Sequence, residues 1–354
     1  MIAERRFRAQ RLTGTPFSSP LDAVRSLGAV QSQDYGAAKW ALGLRTRRAT
    51  NADVDRLFDE GAILRTHVLR PTWHFVVPED IGWLVDLTGP RVRASLAHRQ
   101  RWLELDRAVI ERAAALFAKA LAGRRYLTRP QLGDVLRTWR ISIEGQRLPH
   151  LIMDAELDGL IVSGPRIGKQ FTYALLEERA PKSRRLDRAD SVVELARRYF
   201  TSHGPAQRKD FVWWSGLTTA DARTGVAGAE LDSEIVGGKE YWFDAAARSA
   251  RSSAVVAHLL PNFDEYTVAY RDRAAAHPDR QFDASFFSFG SILSNVVVID
   301  GRVRGAWRRT IARDNVRVEV KFLEPLSEQE KAAVEKAAQR FGRFLQQSVE
   351  LVMR

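Results

Sequence analysis

Gly28-Ala29-Val30-Gln31-Ser32-Gln33-Asp34-Tyr35 is the stretch around which the chain reads, together with Arg65-Thr66-His67-Val68-Leu69-Arg70-Pro71-Thr72-Trp73-His74-Phe75-Val76 downstream. Pro20 to Val30 is amphipathic, with Ser19 placed to cap it and Pro20 in the first helical position, so the spacing predicts a helix that exits at Gln31 and Gln33. Two amides spaced i, i+2 at such an exit, followed by Asp and Tyr, suit the gripping of something polar. On spacing alone, an amide pair capping backbone groups in a turn is the stronger reading.

Outward from this stretch, residues 1–78 read as helices, among them Lys39 to Arg47 and Asn51 to Gly61. Extended chain from Ile63 to Val77 follows, turned back by Arg70-Pro71, and the whole has the order of a winged helix-turn-helix. Pro78 to Glu104 reads as a helical spacer broken at Gly89-Pro90. A second block repeats the theme. Its helices are Val109 to Ala122, one capped by Thr128 with Pro130 in the first turn, and Arg147 to Leu160; a hairpin from Ile161 to Tyr173 follows. Pro181 to Arg188 reads as a linker, with a surface loop in one packed body as the alternative. A third block has helices Ser191 to His203, Gln207 to Trp214 and Thr219 to Ala227, then a hairpin about Gly237-Gly238.

From Ala254 the texture turns β-rich. Val296 to Ile299 and Val303 to Ile311 flank Asp300-Gly301, a hairpin signal; Val316 to Leu323 alternates as a third strand, and Ser327 caps a final helix reaching about Val352. The expected fold is mainly α with β, of the α+β class: three tandem winged helix-turn-helix units and a small C-terminal β unit closed by a helix. The expected boundaries are 1–105, 106–185, 186–253 and 254–354.

Lys and Arg total 55 against 43 Asp and Glu, a formal charge of +12, which points to a polyanionic partner, with nucleic acid leading. Only nine of the 55 are lysine, so plain arginine abundance explains part of the excess. The absence of cysteine excludes disulfides, thiolate nucleophiles, iron-sulfur clusters and cysteine-ligated zinc. No apolar run of signal-peptide or membrane-spanning length appears, so a cytoplasmic protein is expected, nucleoid-associated when bound to DNA.

His67 and His74 flank the Arg70-Pro71 turn. No His-Glu-x-x-His or carboxylate cluster accompanies them, so no metal is expected; they bond a phosphate or the glutamine motif, or pack the wing. Arg65 and Arg70 read either as phosphate ligands or as solvated charges. The paired carboxylates Asp264-Glu265 could perform acid-base work, but adjacent residues diverge in direction and Arg271, Asp272 and Arg273 nearby offer an ion-pair explanation, so a structural role is expected. Core packing is expected for Trp213 and Trp214, whereas Trp73 on the wing is open to base stacking. Lys39 reads as the start of an exposed helix beside Trp40. No Gly-x-Ser-x-Gly, phosphate-loop or dinucleotide motif is present, and no cofactor is expected.

Gln31-Ser32-Gln33, Leu69-Arg70-Pro71-Thr72-Trp73-His74, Leu260-Pro261-Asn262-Phe263-Asp264-Glu265-Tyr266 and Asp300-Gly301-Arg302-Val303-Arg304-Gly305-Ala306-Trp307-Arg308 occur in that order over most of the chain. In these motifs the chain resembles the bacterial winged-helix DNA glycosylases that include AlkZ and, more distantly, YcaQ, whose branch carries Asp where this chain has Gln33. The resemblance implies a monofunctional hydrolase that cuts the N-glycosidic bond of alkylated, cationic N7 and N3 purines in double-stranded DNA, with interstrand crosslinks as further substrates. It implies Gln31 and Gln33 as catalytic residues, and Lys39, Arg65, His67, Arg70, Thr72, Trp73 and His74 as DNA-binding. A monomer is expected. The competing functions are a winged-helix transcription regulator and a lesion binder without catalysis.

Overall fold

The computed structural model describes residues 2–244, 254–276 and 295–354. The chain forms two compact units, neither of them continuous in sequence. One comprises Met1–Val54, Val193–Trp214 and Thr219–Arg354; the other comprises Asp55–Val192 and Ser215–Thr218. The units cut across the consecutive blocks read from the sequence, although the helices-then-hairpin order of each block is present.

The core of the first unit is a five-stranded sheet in the order Ser348–Met353, Asn315–Phe322, Arg302–Ile311, Val296–Ile299, Ala257–Leu260. All neighbours are antiparallel except Ser348–Met353, which runs parallel to Asn315–Phe322. That last strand replaces the end of the expected final helix. Glu328–Leu345 stops where Gln346 turns left-handed (φ 58°, ψ 39°), and the alternating Ser348–Met353 returns as an edge strand. Asp300 and Gly301, both at positive φ, make the tight turn anticipated between the two central strands.

Helix Tyr35–Arg45 lies buried on this core. Its sequence is apolar on nearly every side, the signature of a helix without a solvent face. Trp40 meets the rings of Phe341 and Phe344 at 5.0 and 5.1 Å and donates from Nε1 to the Leu259 carbonyl at 2.7 Å. Gly43 permits this approach: a Cβ there would stand 2.6 Å from the Phe344 ring. The exposed helix starting at Lys39 is therefore corrected. The helix begins at Tyr35 under an Asp34 cap, and Lys39 is only 6% exposed, its ammonium 4.9 Å from the Tyr35 ring centroid.

In the second unit, helices Arg107–Leu121, Arg129–Thr138 and Arg147–Leu157 surround a core of Phe117, Leu121, Leu132, Leu136, Leu151 and Ile152. Strands Ile161–Ser163 and Thr172–Leu175 pair beside it, with Leu127–Thr128 as the third strand. Thr128 caps the second helix as anticipated, and Gln131, which was not singled out, completes a capping box with it. The expected break at Gly89-Pro90 does not occur. Helix Ile81–Trp102 runs straight through, with Pro90 on its exposed side and Gly89 so close to the Leu157 carbonyl that a Cβ would sit 2.8 Å away. Burial against the neighbouring helix outweighs the one hydrogen bond that proline removes.

The 181–188 segment is a surface loop fastened to the start of that long helix. Ser183 Oγ accepts the Gly82 N–H at 2.8 Å, the Arg184 N–H reaches the Glu79 carbonyl at 2.9 Å, and Arg184 pairs with buried Asp80. The linker reading gives way to its alternative. No helix among the described residues is long and apolar enough to cross a membrane.

Candidate active site

Ser19 opens helix Pro20–Leu27 by accepting the Asp22 N–H at 3.1 Å, and Gly28 (φ 79°) closes it by donating to the Val24 carbonyl at 3.0 Å. The helix thus ends three residues before the expected exit. Val30–Gln31 is extended, and Asp34 Oδ1 accepts the Ala37 N–H at 3.0 Å to start the next helix. The glutamines therefore occupy a short loop between two capped helices. Within it Gln31 and Ser32 are buried and Gln33 is exposed. Such a loop holds its amides with little freedom to lose on binding.

Glu265, fully buried, lies under this loop. Its Oε1 accepts the backbone N–H of Gln31 at 2.8 Å, and its Oε2 accepts the Trp214 indole N–H at 3.0 Å. His203 Nε2 stands 3.5 Å from the same Oε2, with the His203 ring stacked on Tyr199. The neighbouring Asp264 turns the other way, as adjacent residues do. Its two oxygens take a bidentate pair of hydrogen bonds from Arg45, each 2.8 Å, where both side chains are essentially inaccessible. Arg45 also donates to Gln10 Oε1 at 2.6 Å; Gln10 Nε2 donates to the Tyr270 hydroxyl, which in turn donates to the His203 carbonyl. Burial pushes the Tyr270 and Tyr199 hydroxyls up, so both act as neutral hydrogen-bonding groups.

Asp264 and Glu265 were expected to pair with Arg271 and Arg273. Instead Asp264 holds the end of helix Tyr35–Arg45, and Glu265 holds the loop before its start. Arg273 lies over Trp213, 5.6 Å from its centroid, and Trp213 is 42% exposed, contrary to its expected place in the core. Trp214 is buried as expected, but its indole N–H also serves the glutamine loop. Asp34 is occupied as a cap and attracts Arg309, whose guanidinium burial pushes down.

The remaining expected site residues lie in the second unit, on a hairpin pairing Leu64–His67 with Trp73–Val76. His67 is buried against Glu156, with its ring 4.4 Å from that of Trp73, and His74 is fully buried with Nδ1 2.9 Å from the Thr72 carbonyl. Both rings are packed within the hairpin, and no metal-binding cluster occurs among the described residues. Arg65 is 8% exposed, with its guanidinium over Trp73 at 4.3 Å and Phe171 at 4.8 Å. It lines a cavity of about 340 Å³ with Arg129, Lys169 and Tyr173. Arg70, Thr72 and Trp73 are half-buried around the turn, whose tip is exposed Pro71. Leu69 (φ 63°) bends the chain there, and Gly216 abuts its carbonyl so closely that a Cβ would lie at 2.3 Å.

Sequence reasoning missed Glu265, Trp214 and His203 as neighbours of the glutamines. Glu265 was visible as part of a motif, but its partner lies 234 residues away.

The sequence profile of the family described as "DNA glycosylase AlkZ-like" matches residues 24–344. Over 338 residues, 85% of each chain, the sequence is 24% identical to the interstrand DNA cross-link repair glycosylase of Streptomyces sahachiroi. The fold is similar to the solved structure of Streptomyces sahachiroi DNA glycosylase AlkZ, with a TM-score of 0.80 at 22% identity, covering 99% of this chain and 98% of that one.

Proposed function

This chain belongs to the AlkZ-like DNA glycosylase family, and from that premise we propose that it hydrolyses the N-glycosidic bond of alkylated, cationic N7 and N3 purines in double-stranded DNA, interstrand crosslinks included. The observation that carries the reading is the Gln31-Ser32-Gln33 loop, capped on both sides and tied from beneath by Glu265, with Gln33 facing solvent. The helices-then-hairpin order of the successive blocks supports their reading as winged-helix units that grip the duplex.

An alkylated purine already carries positive charge, so the base leaves without a protonating acid, and two amides suffice where an ionising group is not needed. The C1′–N9 bond of an N7-alkylguanine breaks with its electron pair moving to the base, which departs neutral. A water oxygen bonds to C1′, and its proton passes to solvent. Gln31 and Gln33 orient that water and the deoxyribose, their carbonyl dipoles aimed at the sugar as it turns positive. Arg65 and Arg70 serve the backbone phosphates. Lys39, enclosed in its helix, is left out of the reaction.

Duplex DNA carrying one N7-methylguanine, incubated with the protein and heated in alkali, tests the reading. Strand cleavage at the lesion supports it. A mobility shift without cleavage marks a lesion binder instead, and preference for one undamaged sequence marks a regulator.

A further inference from the structure

Among the buried carboxylates of the first unit, two have a plain structural use. Asp264 pairs with Arg45, and Asp210 pairs with Arg6 while accepting the N–H groups of Arg271 and Asp272. Glu265 differs in where it is applied. One oxygen is bonded to the peptide of Gln31 itself and the other to an indole N–H, with His203 Nε2 3.5 Å from that second oxygen. Each oxygen receives a donor, an arrangement that suits the charged carboxylate. A carboxylate so placed makes a charge-assisted hydrogen bond, stronger and more directional than a neutral one, and fixes the peptide it holds. Asp34, the other acid next to the glutamines, is committed to capping its helix.

A glycosidic bond that breaks ahead of nucleophilic attack leaves positive charge on the sugar ring, and neutral amides answer it only with dipoles. We propose that Glu265 is the positioning residue of this site: it locks the Gln31 peptide and sets a buried negative charge behind the glutamine loop, toward which the cationic sugar develops. The proposal rests on the glycosylase reading above. It assigns to the Asp-Glu motif a role in the reaction rather than in the core alone. In a dry interior the charge is poorly screened, so its effect reaches the loop through Gln31 without touching the substrate.

The test uses the full chain and two abasic-site analogues in duplex DNA, a cationic pyrrolidine and a neutral tetrahydrofuran, beside single-turnover excision of N7-methylguanine. The wild-type protein is expected to bind the pyrrolidine duplex more tightly than the tetrahydrofuran duplex. Glu265→Gln, which keeps the shape and an acceptor for the Gln31 N–H, should slow excision on the order of 10- to 100-fold. It should erode the pyrrolidine preference in parallel while leaving tetrahydrofuran affinity intact. Slower excision with an unchanged preference means Glu265 is only structural and overturns the proposal, as does an unchanged rate. If Glu265→Gln does not fold, Glu265→Asp keeps the charge but draws it back from the Gln31 N–H, so excision should slow while the pyrrolidine preference persists; unchanged excision, or a preference lost with the charge still present, refutes it. Equal wild-type affinity for the two analogues also refutes it, even when wild-type excision shows that the glycosylase reading stands. Absence of excision by the wild type removes that reading and the inference with it.

Discussion

Asp264→Asn isolates the contribution of one buried charge. The replacement is isosteric, and its amide oxygen can still accept the Tyr266 N–H that Asp264 Oδ1 takes at 2.9 Å, so the cap on the short helix Glu265–Val268 survives. What is lost is the carboxylate facing Arg45. Arg45 keeps the Ala41 carbonyl at 2.9 Å and Gln10 Oε1 at 2.6 Å, but its charge is left without the partner that took two bonds at 2.8 Å. Both side chains are at most 1% exposed, so water cannot substitute. Breaking a buried pair from one side costs about 3–5 kcal/mol, a large share of the roughly 5–15 kcal/mol that holds a domain. The unit that carries the pair should melt roughly 6–20 °C lower. Guanidinium unfolding of the wild type, Asp264→Asn, Arg45→Met and the double variant gives the coupling directly. The double variant, with both charges gone, should be less destabilised than the two single losses summed, with a coupling of at least about 2 kcal/mol. An Asp264→Asn loss below about 1 kcal/mol, or a coupling near zero, would show that this pair does not anchor the helix behind the glutamine loop.

Gln31→Ala and Gln33→Ala should each abolish most base release while DNA affinity, dominated by phosphate contacts, is largely retained; parallel losses in both would argue against a role in the transition state. Uracil should be excised far more slowly than N7-methylguanine under single-turnover conditions, and comparable rates would contradict the need for a cationic leaving group. Borohydride added during turnover should trap no covalent adduct, since water rather than an amine attacks the sugar; an adduct lost in Lys39→Ala would reverse that assignment. His258 is fully buried, with Nε2 2.6 Å from the Leu12 carbonyl, and burial pushes it down to about 3. It stays neutral when folded and gains a proton only on unfolding, so its contribution is complete above the ordinary histidine range and is lost as pH falls toward 3. Between pH 7 and pH 5 the wild type should lose about 2 kcal/mol more unfolding free energy than His258→Gln, and equal losses would show that the ring is not buried neutral.

Much of the architecture was legible because it is local. Ser19, Thr128 and Ser327 announce helix starts through one side-chain bond each, and Gly237-Gly238 and Asp300-Gly301 announce hairpins through backbone angles that few other residues accept. Errors fell where distant packing overrides a local preference. Pro90 should have broken a helix, but the turns on either side of it are held by burial from Ile81 to Val92. Lys39 should have marked an exposed start, yet the apolar run around it is covered by Phe341 and Phe344, from the far end of the chain. The arginine count likewise does not say which arginines meet DNA: Arg6 and Arg45 are paired with buried carboxylates, which leaves the net charge as it was.

By itself the sequence determined the α+β composition, the candidate amides Gln31 and Gln33, and, through its ordered motifs, the family to which they belong. All of these depend on residue identity and short spacing. Only the tertiary structure decided what stands behind the amides. Hydrogen-bond partnership across 234 residues leaves no periodic or compositional trace, so Asp264-Glu265 could be recognised as a motif but not assigned a partner. The same holds for His67 on the hairpin, which is buried against Glu156 of helix Arg147–Leu157, 89 residues along the chain.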